Sequence, residues 1–118
     1  MKADKDFSPI SPGETRDLAF DYRHDVFPLD PTEVLSSAVF TLEIDATDSG
    51  STVDATPASR LSGGATIEDN LHGETDMAAV QRVTGCIAGN TYIVKCVATT
   101  SRGQLLELFA KMKCQVAT

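Results

Sequence analysis

The stretch Gly89-Asn90-Thr91-Tyr92, Ile93 to Thr99, Thr100-Ser101-Arg102-Gly103 and Gln104 to Val116 decides the fold class. It reads as a turn, a strand, a tight turn and a second strand. Leu106, Leu108, Ala110, Met112, Cys114 and Val116 are apolar at every alternate position, and Glu107, Lys111, Lys113 and Gln115 hold the other parity. Alternation of this kind belongs to a half-buried strand. Leu105, Leu108, Phe109 and Met112 also fit a helical stripe, but a helix leaves Leu106 and Val116 outside it. The strand explains more of the residues. Gly103 suits a hairpin turn that needs positive φ. A turn centred near Ser101-Arg102 would set Cys114 opposite about Gly89. A hairpin this long makes the chain all-β.

Upstream, the same period recurs. Leu18, Phe20 and Tyr22 alternate with Asp17 and Asp21. Ala38, Phe40, Leu42, Ile44 and Ala46 alternate with Val39, Thr41, Glu43 and Asp45, which gives a core face and a wet face. Thr52 to Thr56 reads as a short strand ended by Pro57. Arg60-Leu61-Ser62-Gly63-Gly64 reads as a turn into Ala65-Thr66-Ile67. Residues 77–84 read as strand, because Val80 and Val83 outweigh the helical preference of Ala and Met. Residues 24–33 contain Phe27-Pro28 and Asp30-Pro31, which disfavour helix and make a loop. The expected architecture is a β-sandwich of about seven strands over residues 14–118. Residues 1–13, with Pro9, Pro12 and Gly13, read as an extended N-terminal arm. Tyr92, just after a glycine turn at the start of a late strand, is placed either for a tyrosine corner or as a plain core aromatic.

Composition sets the outer limits. A chain of 118 residues with 42% apolar and 23% charged side chains is one domain that can bury its own core. Its apolar runs are too short to span a membrane. The charged beginning, Met1-Lys2-Ala3-Asp4-Lys5-Asp6, lacks an apolar signal region, so folding in a cytoplasm is expected. The net charge is −7, which disfavours nucleic acid as a partner. Residues 77–118 carry five bases and one acid, whereas residues 37–76 carry eight acids and one base. This suggests head-to-tail packing between copies or, equally, opposite charges facing each other within one sandwich.

Catalytic chemistry finds little footing. His24 and His72 both fall in polar loop stretches, and no serine sits in a nucleophile elbow. Asp45, Asp48 and Asp54 flank a turn without the spacing of a calcium loop. Gly63-Gly64 lacks the residues of a phosphate loop. The expectation is a protein that is not an enzyme, with no cofactor and no metal. Cys86, Cys96 and Cys114 show no metal-ligand spacing. They read as reduced buried thiols, or as a Cys86–Cys114 disulfide with Cys96 unpaired, and an odd cysteine can also form a bond between subunits. Glu68, Asp69, Glu74 and Asp76 form an acidic loop that is either simply solvated or meets a basic partner.

The order of several stretches resembles a family of small bacteriophage virion proteins with an immunoglobulin-like sandwich, the fiber-tail adaptor type. The stretches are Asp17-Leu18-Ala19-Phe20-Asp21-Tyr22, Asp30-Pro31-Thr32-Glu33-Val34, Leu35-Ser36-Ser37-Ala38-Val39-Phe40, Val83-Thr84-Gly85-Cys86-Ile87-Ala88-Gly89-Asn90-Thr91-Tyr92 and the terminal hairpin. Cys86 departs from the pattern, standing where a glycine pair would be more typical. The resemblance implies a non-enzymatic adaptor at a tail, neck or baseplate, carried in the virion and assembled in a bacterial cytoplasm. Its partners would be other phage structural proteins and copies of itself. Phe7 and Ile10 in the arm, and Glu68, Asp69, Glu74 and Asp76 in the acidic loop, are the candidate contact residues. Folding of Phe7 and Ile10 back onto their own sandwich is the alternative. A fibronectin-like or carbohydrate-binding module of a surface protein is the competing functional reading. The absence of tryptophan counts against sugar stacking.

Overall fold

The computed structural model describes residues 1–3, 5–23, 27, 29–50, 52–71 and 73–116. Within these, the strands are β1 (Thr15–Asp21), β2 (Leu35–Ile44), β3 (Leu61–Glu68), β4 (Ala78–Thr84), β5 (Thr91–Thr100) and β6 (Leu105–Lys113). They form two three-stranded antiparallel sheets, ordered β1-β4-β3 and β2-β5-β6. The sheets pack face to face as a β-sandwich, with β2 lying alongside β3 on one flank.

Six strands replace the expected seven among the described residues. The reading of 52–56 as a strand fails because Asp54 turns the chain. Its carboxylate accepts from the Thr56 N–H at 2.9 Å. Pro57 then opens a short 3-10 turn, Pro57–Arg60. The turn expected over residues 60–64 is instead the start of β3. Its pairing with β4 slips between Ser62 and Thr66, and Gly63 there adopts φ 73°. A bulge absorbs the glycines without ending the strand.

β5 is the central strand of its sheet, and Tyr92, Val94, Cys96 and Ala98 on its inner face are fully buried. They meet Met112, Ala110, Leu108 and Leu106 across the hairpin. The ladder lies one residue away from a turn centred on Ser101-Arg102, with Thr91 opposite Lys113, and Cys114 donates its N–H to the Asn90 carbonyl while its own carbonyl accepts from the Gly89 N–H, each at 2.9 Å. The physical reason is facial. The expected register would set inward Cys96 opposite outward Glu107, and a one-residue slip carries an entire apolar set to the wrong side. The turn closes with Thr100 N–H to Gln104 O at 2.8 Å, and Gly103 takes φ 80°. Val116, expected inside, lies beyond the end of β6 and is 66% exposed.

The opposing sheet contributes Leu18, Phe20, Ala79 and Val83 to the core. Phe20 stacks on Phe40 across the sandwich with ring centroids 5.8 Å apart. The Tyr22 hydroxyl reaches over to donate to the Cys96 carbonyl at 3.0 Å.

The N-terminal arm closes the remaining flank. It runs parallel to β6, with bridges Lys2↔Phe109 and Ile10↔Cys114. Main-chain bonds from Ala3, Phe7 and Ile10 N–H to the carbonyls of Phe109, Lys111 and Lys113 span 2.8–2.9 Å. From the other side, the Arg16 guanidinium of β1 donates to the carbonyls of Ser8 and Pro9. The arm thus covers the open edge of β6 and ties it to β1. An uncovered edge is a template for another strand, so this cover has a protective consequence.

Candidate partner-binding surface

Of the two arm candidates, Ile10 is 1% exposed and belongs to the core. Phe7 packs on Phe20 with centroids 5.2 Å apart. Both are seated on their own sandwich, the alternative that the sequence left open. The reason is apolar area: without the arm the flank between β1 and β6 would leave Phe20 and Leu108 open to water, and the nearest apolar chain covers them.

The acidic loop is ordered by one side chain. Asn70 is nearly buried, and its amide donates to Asp21 and Glu74 at 2.8 Å each. Its side-chain oxygen accepts from the Glu74 N–H, and its own N–H donates to the Glu74 carbonyl. Asp69 accepts from the Asp76 N–H at 3.1 Å, with Asp76 in the left-handed region at φ 53°. Glu68 accepts from the Thr66 hydroxyl at 3.2 Å. Glu68 ends β3, and Asp69, Glu74 and Asp76 follow it in the loop, where Glu74 and Asp69 already hold the chain together. At its tip stands Leu71, fully exposed at 101%. Sequence reasoning missed Leu71, although it is the only large aliphatic side chain between Glu68 and Asp76.

Beside this loop, a cleft of about 190 Å³ opens at the C-terminal end of β1. Phe7, Phe20, Phe27 and Leu108 make its apolar floor. Lys2, Lys5 and Arg23 stand on its rim together with Asp21. Lys2 is held by Asp6 at 2.7 Å, a pair that holds the Asp6 carboxyl below its ordinary range. Ala19 and Asp21 line both this cleft and the groove under Leu71, so the two features flank the same strand end. No sequence signal marked the cleft, because its residues lie far apart along the chain.

The remaining polar candidates are occupied internally and point to different partners. Asp45 accepts from Lys111, whose ammonium lies 2.7 Å away, and from Thr47, and these donors, Lys111 foremost, hold its pKa down at about 2. Asp48 accepts from the Thr91 hydroxyl. Burial pushes the Asp54 carboxyl up. The Thr56 N–H, the Tyr92 hydroxyl and Arg60 outweigh that, and the net shift is downward. Tyr92 is fully buried, donates to Asp54 at 2.9 Å and accepts from the Ile87 N–H at 3.0 Å. Burial first, then the Asp54 charge, raises its hydroxyl to about 12. Glu33, 1% exposed, accepts from Thr100 and from the Gln104 amide, pinning the loop before β2 to the hairpin turn. His24 and His72 lie outside the described residues.

Two of the three cysteines are not reduced thiols. Cys86, in the turn between β4 and β5, is bonded to Cys114 at the end of β6, with Cα atoms 6.2 Å apart. Cys96 is free and buried, and burial raises its thiol to about 11. A thiol so raised stays protonated and is a poor nucleophile.

Compared with family models, curated proteins and solved structures, the chain matches none.

Proposed function

We propose that this protein is a non-enzymatic structural component of a bacteriophage particle, an adaptor joining tail, neck or baseplate to fibers or neighbouring subunits. Its sandwich is of the immunoglobulin type. The orders β1-β4-β3 and β2-β5-β6 match the B-E-D and C-F-G strands of that fold, and the arm takes the place of an A strand moved to the edge of G. Tyr92, at the start of the F-like strand and bonded to the Ile87 backbone, supports the same reading as a tyrosine corner.

The observation that carries the adaptor role is the contrast between inside and outside. Asp45, Asp54 and Glu33 are spent on internal hydrogen bonds. What faces outward on a rigid frame is an ordered acidic loop with a bare leucine at its tip, beside a cationic cleft. Loops held by a rigid scaffold are the usual seats of recognition. The disulfide fits a protein that completes its life on a particle outside the reducing cytoplasm, since such bonds persist on virion surfaces.

The test is mass spectrometry of purified particles, together with binding of the recombinant protein to isolated tails. The protein is expected in stoichiometric, repeated copies in the particle. Its absence from intact particles would overturn the proposal.

A further inference from the structure

We propose that two copies of this chain associate through a two-fold contact in which Leu71 of each copy enters the aromatic cleft of the other. The inference deepens the adaptor reading by naming the surface through which copies meet.

The first argument is the state of Leu71. Its whole side chain stands in water. Here it crowns a loop whose Asn70 makes side-chain bonds at 2.8 Å to Asp21, to Glu74 and from the Glu74 backbone. The backbone that carries Leu71 is therefore braced at Asn70 before any partner arrives, which lowers the ordering cost of association.

The second argument is charge. The carboxylates beside Leu71 include Glu68 and Asp69, and the cleft rim carries Lys2, Lys5 and Arg23 against the single carboxylate of Asp21. Lys5 forms no ion pair among the described residues. An acidic knob meeting a basic rim is steered correctly and rejects its own kind. A foreign basic partner would suit the loop but would be repelled by the rim. A second copy satisfies both at once.

The third argument is position. Ala19 and Asp21 border both the cleft and the Leu71 groove, so knob and hole sit side by side. A surface carrying both halves of a contact next to each other is self-complementary. Such a surface closes as an isologous pair, each copy giving one leucine and receiving one. Phe7 of the arm packs on Phe20 of β1, and Phe27, beyond that strand, packs on Tyr22, so the cleft floor is assembled within one copy.

The experiment is sedimentation equilibrium of the oxidised, full-length protein across micromolar to millimolar concentrations. The wild type is expected to form a dimer whose dissociation constant rises with salt. Leu71→Asp is expected to weaken it roughly a hundredfold or more, since two leucines lose their burial in each dimer. Leu71 is wholly exposed in the monomer, so at concentrations where both proteins are monomeric this variant should unfold at the same denaturant midpoint as the wild type. Lys5→Glu is expected to weaken association, and Lys5→Glu combined with Glu68→Lys to restore it, because a two-fold contact carries the swapped pair twice. A wild-type monomer at millimolar concentration overturns the proposal, as does a dimer indifferent to Leu71→Asp. Either result leaves particle incorporation to its own assay.

Discussion

Removing the Cys86–Cys114 bond should lower stability by an amount set by the chain it closes. The two residues are 28 apart in sequence. Closing a loop of that length removes about 12 cal/mol/K from the unfolded chain, roughly 3.6 kcal/mol at 25 °C. Domains of this kind hold roughly 5–15 kcal/mol in total, so the bond supplies a large share. With unfolding entropy near 2.1 cal/mol/K per residue over 118 residues, the midpoint should fall by about 14 °C. The assay is urea unfolding of oxidised wild type, reduced wild type and the Cys86→Ala/Cys114→Ala variant. The last two should agree with each other and carry a larger m-value, since the open unfolded chain exposes more surface. Freshly denatured, unreduced protein should show one titratable thiol, that of Cys96. Three thiols under those conditions, or coincident curves with and without reductant, would refute the reasoning.

Three further outcomes follow from the packing. Ile10→Ala should cost about 2–4 kcal/mol in urea unfolding, as a buried large-to-small change, although the residue sits in a segment that reads as a loose arm. Tyr92→Phe should cost about 1–3 kcal/mol by leaving the Ile87 N–H and Asp54 short of a buried partner, with near-native circular dichroism. The Asp45 carboxyl has its folded pKa depressed to about 2 from an ordinary 3.8. The stability it gives is therefore present above about pH 4 and is lost as the pH falls through about 2. Acid unfolding followed by fluorescence should shift less steeply over that window in Asp45→Asn, and an unchanged slope would contradict the assigned role.

Much of the frame was legible from local pattern. The alternation of Phe40 and Leu42 against Val39 and Thr41, and of Leu108, Ala110 and Met112 against Glu107 and Lys111, gave the strands and their inward faces, because the pleat sorts side chains by parity. Where the reading faltered, local signals competed. Gly63 and Gly64 read as a turn but sit in a bulge, since β4 holds both ends of β3 in register. Thr52 to Thr56 looked like strand, but Asp54 was drawn inward by Arg60 and Tyr92, partners that are distant or ambiguous along the chain. The acidic loop was visible as charge, yet its shape depends on Asn70 and Asp21, which lie 49 residues apart.

By itself, then, the amino-acid order determined a β protein with a long terminal hairpin and two apolar faces needing each other, because period-two hydrophobicity has one economical burial. It did not determine where the arm goes, which of the three cysteines bond, or that a cationic cleft opens beside an exposed leucine. Those depend on distances between residues remote in sequence. Such distances exist only once the two sheets have closed and left one flank for residues 1–13 to cover.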